Sequence, residues 1–185
     1  MRRMDIRSDT MGDPARYRSF EELERALAAL PPAPKAKGRV VLIVARGEGG
    51  LRSCLDRVRL EPGRGIPGDA WGRRPHKTAD GSITAMRRDV AELLANGQPI
   101  LLAGDQLFVD LDLSLPPGTR LRAGTAVLEV TPKPHNGCGK FSARFGPDAL
   151  RLTAEPALRP LNLRGVYLKV VEAGDVGPGD AIDVL

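Results

Sequence analysis

The sequence predicts a mainly β fold, a barrel or sandwich with a few short helices and one helix ahead of it. Three observations carry this. Short runs rich in Val, Ile and Leu recur from residue 39 to the end. Gly-Asp and Pro-Gly pairs punctuate them, as turns between strands require. Clear helical periods are confined to 19–30 and 84–97, with short helical turns after Phe141.

The elements follow in order. "SFEELERALAAL" (19–30) is a helix: Ser19 and Glu22 form a capping box, and Phe20, Leu23, Leu27 and Leu30 share one face. "PPAP" (31–34) ends it and serves as a stiff linker. The expected division is a helical extension with a Pro-rich linker over 1–38 and one domain over 39–185, with the helix docked on that domain. "RVVLIVAR" (39–46) is a buried strand. "TAMRRDVAELLANG" (84–97) predicts a helix with Met86, Val90, Leu93 and Leu94 on one face and Asn96-Gly97 as its stop. "ILLAGDQLFVDLDLS" (100–114) predicts two strands around Gly104-Asp105. "TRLRAGTAVLEVT" (119–131) predicts two more, broken at Ala123-Gly124. Pro147 suits a first helical position in "FSARFGPDALRL". "LRGVYLKVVEAG" and "DAIDVL" close the chain as strands, joined by a "GDVGPGD" turn.

Composition narrows the function classes. Hydrophobic residues make up 42% of 185 and charged residues 28%, as in a globular protein with a core. The aliphatic run "VVLIV" is too short to cross a bilayer, and the basic N-terminus lacks the apolar stretch of a secretory signal, so a cytoplasmic setting is expected. A net charge of +5 suits phosphate-bearing partners, but 4% aromatics argue against a nucleic-acid stacking surface. Two cysteines without metal-ligand spacing are expected to be thiols.

Two stretches carry candidate chemistry. In "TPKPHNGCGKFSARFG" (131–146), Cys138 lies between two glycines, with His135, Lys140 and Arg144 nearby. Positive neighbours favour a thiolate, the form that attacks and binds metals. A plain loop cysteine is the alternative. A Cys138–His135 hydrolase pair lacks a third member and any nucleophile signature. Cys54, without a glycine frame, reads as structural. In "GRGIPGDAWGRRPHK" (63–77), Gly68 and Asp69 precede Arg73, Arg74, His76 and Lys77. That is a Gly-rich turn suited to an anion, though without P-loop spacing; a solvated basic loop is the alternative.

Taken in order, "GIPGD", "SITAMRRDVAELLANGQP", "AGDQLFVDLDLSLPPGTRLRAGTAVLEVTPKPHNGCGKFSARFGPDAL", "LNLRGVYLKVVEAG" and "VGPGDAIDV" resemble the MOSC family, and its stand-alone bacterial type. The family is named after the C-terminal domain of molybdenum cofactor sulfurase. The resemblance covers about residues 39–185 and implies a barrel similar to that of pyruvate kinase. It also implies that Cys138 is the site thiol, with Gly68 and Asp69 matching the family's Gly-Asp. Two roles are implied for Cys138. It ligates molybdenum of a bound molybdenum cofactor, and the protein reduces N-hydroxylated compounds with an electron-transfer reductase as partner. Or it carries persulfide sulfur from a pyridoxal-phosphate-dependent cysteine desulfurase to metal–sulfur centres. A non-catalytic module on the same barrel is the third possibility. The desulfurase's pyridoxal phosphate would belong to the partner. Charge and nearness in sequence add Arg73, Arg74, His76, His135, Lys140 and Arg144 as candidate cofactor-binding residues.

Overall fold

A computed structural model describes residues 5–7 and 11–185. Its strands are β1 (Asp5–Arg7), β2 (Lys37–Arg46), β3 (Leu51–Cys54), β4 (Val58–Leu60), β5 (Ile83–Arg87), β6 (Leu107–Val109), β7 (Arg120–Ala123), β8 (Ala126–Val130), β9 (Val166–Glu172), β10 (Gly174–Val176) and β11 (Ala181–Val184). Its α-helices are α1 (Phe20–Ala28), α2 (Arg88–Ala95), α3 (Gly139–Phe145) and α4 (Pro147–Ala154). Seven strands close a barrel in the order β2, β11, β7, β8, β9, β5, β6 and back to β2. Every neighbouring pair is antiparallel except β5–β6, whose strands are joined through α2. The mainly β barrel expected from the sequence is what forms.

The long strand β2 does three jobs along its length. Its first residues pair with β11, its middle with β6, and Val44–Arg46 with β3. It thereby leaves the barrel wall and carries β3 and β1 as a flap. A register shift lies between Val40 and Leu42 on the β6 side. Simple alternation would put Val40 and Leu42 on one face. With the shift, Val40 and Ile43 enter the barrel core, while Leu42 and Val44 join a second core outside it. This explains why "VVLIV" is apolar throughout: both faces are covered.

The outer core is built by α1, α2, α3, α4 and the turn at Ile100–Ala103. Helix α1 has the capping box expected of Ser19 and Glu22. Its Leu23 is buried, with Phe20, Leu27 and Leu30 packed around it. The helix docks on α2 and α4, so its apolar face meets other helices instead of the barrel wall itself.

Three readings of local structure change. Residues 84–87, expected as the start of the helix, belong to β5, held by β6 and β9. Met86 still reaches the cluster of Val90, Leu93 and Leu94, but from a strand, which is why its spacing looked helical. Residues 100–103, expected as strand, form a 3-10 turn between Pro99 and Gly104, whose φ of 88° stops it. The "GDVGPGD" turn contains β10, paired with β4. Helix α2 does end at left-handed Asn96, and Pro147 does open α4. No helix of the described residues is long and apolar enough to cross a membrane.

Candidate functional site

Cys138 sits where the loop after β8 turns into α3. Its carbonyl accepts the first helical hydrogen bonds, from Phe141 N at 2.9 Å and Ser142 N at 3.1 Å. Its side chain makes no capping bond and is exposed. Gly137 packs against Leu150, whose side-chain tip would have to move to admit a Cβ there. Beside Gly139 there is open space. Cys54 is half-buried at the end of β3, against the outer core.

Behind Cys138 lies a group of arginines that local sequence did not reveal. Arg46 and Arg52 are directly opposite each other on β2 and β3. Like charges in that relation repel. Arg46 is compensated by Asp69: Nη2 donates to Oδ1 at 2.7 Å, and Nε and the backbone N donate to Oδ2 at 3.0 and 2.8 Å. Asp69 Oδ1 also accepts from Trp71 N at 2.8 Å. Its carboxylate is fully buried and engaged by protein, so it acts through Arg46. Among the described residues Arg52 has no such anion, and its Nε and Nη1 are buried without a hydrogen-bond partner. Burial, then Arg144 and Arg46, push its pKa down to about 10, while Asp105 and Cys138 oppose them. Arg144 is likewise lowered by burial and supported by Cys138. The thiol is thus within electrostatic reach of two buried guanidinium groups.

Three consecutive carbonyls organise these cations. Arg144 Nη1 donates to Leu102 O at 2.8 Å, Arg164 Nη2 to Ala103 O at 3.0 Å, and Arg46 Nη1 to Gly104 O at 3.5 Å. Arg164 Nη1 also donates to Asp105 Oδ2 at 2.6 Å. Asp105 Oδ1 lies 3.7 Å from His135 Nδ1, and neither atom has a hydrogen-bond partner among the described residues. Burial outweighs the pull of Asp105 and, helped by Arg164, Arg46 and Lys133, takes His135 down to about 4. The imidazole is therefore neutral at neutral pH, and its contact with Asp105 is not an ion pair.

The structure brings Cys138, His135, Arg144 and Asp69 into one connected cluster. Arg73 braces its edge, donating to Gly68 O at 2.9 Å and Arg46 O at 3.3 Å. Gly68, Arg74, His76 and Lys140 are exposed. Arg46, Arg52, Asp105 and Arg164 were absent from the sequence-based set. The one clue to them was the excess of basic residues.

Among the described residues, no group of three or more His, Cys, Asp or Glu could hold a metal ion. A metal at Cys138 would take its other ligands from the molecule that brought it. The single soft thiol beside the buried guanidinium groups of Arg52 and Arg144 fits an anionic cofactor carrying its own sulfur ligands.

Comparison with known proteins gives a consistent frame. The family profile described as MOSC domain matches residues 86–183, just over half the chain. No curated protein matches the sequence. Similar solved structures include the YuaD protein from Bacillus subtilis, with a TM-score of 0.60 at 17% identity, covering 83% of this chain and 98% of that one. YiiM from Escherichia coli has a TM-score of 0.55 at 19% identity, covering 80% and 69%. YiiM from Geobacillus stearothermophilus has a TM-score of 0.54 at 17% identity, covering 80% and 75%. At these identities the shared feature is the fold.

Proposed function

Because this chain belongs to the MOSC domain family, we propose that it binds molybdenum cofactor through Cys138 and reduces N-hydroxylated compounds with electrons from a partner reductase. The observation that carries this reading is Arg52. A buried guanidinium with two unpartnered nitrogens, set against a second arginine and near an exposed thiol, is costly in isolation. It becomes favourable when an anion arrives.

The residues divide the work. Cys138 offers the thiolate for the metal. Arg52 and Arg144 hold negative charge beside it. Asp69 fixes Arg46, and Arg73 ties the loop at Gly68 to the same arginine. When bound, the cofactor supplies two-electron oxygen-transfer chemistry. Reduction of an N–OH group to N–H and water takes two electrons and two protons. The electrons come from the partner and the protons from water.

The test is metal analysis of the full chain made in a host with intact cofactor synthesis. Near-stoichiometric molybdenum, lost in Cys138→Ser and reduced by charge reversal at Arg73 and Arg74, is the expected result. Absence of molybdenum from the wild-type protein would overturn the reading. The persulfide-carrier reading has one specific observation in its favour, the exposure of Cys138. It predicts one added sulfur mass on the Cys138 peptide after incubation with a cysteine desulfurase, pyridoxal phosphate and cysteine, removed by thiol reductant.

A further inference from the structure

A cavity of about 390 Å³ adjoins the cluster, with His135, Asn136, Thr153, Arg159, Asn162 and Arg164 in its wall. That volume is in the range that small molecules occupy. No carboxylate is among the residues that line it. Two of its residues are guanidinium-bearing, and His135 is neutral, held down to about 4 chiefly by burial. Asp105 is taken by Arg164 through Oδ2.

The wall's polar groups are unequally free. Asn162 donates to Leu113 O at 2.8 Å, and Thr153 to Leu150 O at 2.9 Å. Arg164 is tied to Asp105 and Ala103 O, but its Nε is buried without a partner among the described residues, as is His135 Nδ1. Arg159 is exposed. The groups left to meet a ligand are therefore the exposed Arg159 guanidinium and the Asn136 amide, with the two orphaned nitrogens buried behind them.

We propose that this cavity is a substrate subsite selecting small organic molecules that carry a carboxylate or phosphate, held by Arg159 and Asn136. Two residues of its wall, His135 and Arg164, belong to the same charged cluster as Arg46 and Asp105, which connects the cavity to the site around Cys138. What happens to a molecule bound there rests on the cofactor reading. Binding of its anionic end does not.

Isothermal titration calorimetry on the full chain tests this with phenyl phosphate, benzoate and benzamide, which share a ring and differ in charge. The two anions bind roughly tenfold or more tighter than neutral benzamide, the scale of one charge-assisted contact. The tighter anion identifies the head group. Arg159→Glu loses that preference, and Arg159→Lys keeps most of it. Cys138→Ser binds the anions as the wild type does, and Arg159→Glu retains the wild-type molybdenum content. Those two controls separate this inference from the cofactor reading. Equal affinity for benzamide, or unchanged anion binding in Arg159→Glu, overturns it. So does loss of anion binding in Cys138→Ser, or loss of molybdenum in Arg159→Glu, since either would place the anion elsewhere.

Discussion

His135 Nδ1 and Asp105 Oδ1 face each other across 3.7 Å, too far for a hydrogen bond, and neither has another partner among the described residues. Their side chains are 6% and 0% exposed. The pair is an acid–base couple held apart, and its energetics depend on pH.

The first prediction concerns that dependence. In the unfolded chain His135 takes up a proton near its ordinary 6.5, but the native protein resists until about 4. The unfolded state thus binds more protons between these values, and stability rises with pH there. Stability is complete above 6.5 and is lost as pH falls toward 4, by roughly 3 kcal/mol at most. The charged groups around the imidazole are Asp105, Arg164, Arg46 and Lys133, with the Tyr167 ring 4.6 Å away between centroids. Urea denaturation of His135→Gln across this window should give a flatter profile than wild type. Parallel profiles would mean that another group sets the slope.

Arg52 predicts a conflict between stability and ligand retention. Replacing it by Met removes a buried charge with unpartnered nitrogens and keeps an apolar stem of similar length. The ligand-free variant should melt at the wild-type temperature or a few degrees above it, a gain of about 1 kcal/mol. Its molybdenum content should fall well below wild type. A marked drop in melting temperature would show that Arg52 is structural, with Cys138 and Asp105 sufficient as counter-charges.

The N-terminal helix is a third test. Leu23 is 1% exposed in the outer core. Leu23→Ala should cost about 2–5 kcal/mol and lower the melting temperature by roughly 5–15 °C. Alkylation of Cys138 should be unaffected in rate, because the thiol lies on the exposed start of α3. An unchanged melting temperature would mean that α1 contributes nothing to the folded domain.

How much of this could be read in advance depended on whether the cause was local. Ser19 with Glu22, Asn96 as a left-handed stop, the turn at Gly124 and the setting of Cys138 are written within a few neighbouring residues. The barrel followed from strand number and turn chemistry. Residues 84–87 were hidden because Met86 serves the same core as the helix after it. The run at 100–103 is apolar at every position, so periodicity could not separate strand from turn. The cationic cluster had no local signature at all. Arg46 and Arg52 meet through a strand pairing, and Arg144 and Arg164 arrive from distant elements. Asp105 looked like a turn residue because it follows Gly104; its role comes from tertiary approach by Arg164.

The carbonyls of Leu102, Ala103 and Gly104 have a consequence for how charge is stored. An arginine restrained by a carboxylate is ordered and largely neutralised. An arginine restrained by a carbonyl is ordered and keeps its full charge. Arg144 and Arg46 are each held by one of these carbonyls, and Arg46 also by the Asp69 carboxylate. The positive field beside Cys138 is therefore oriented before any ligand enters, and an arriving anion meets dipoles that need little reorientation. Backbone rigidity at one short turn becomes the electrostatic preorganisation of the whole site.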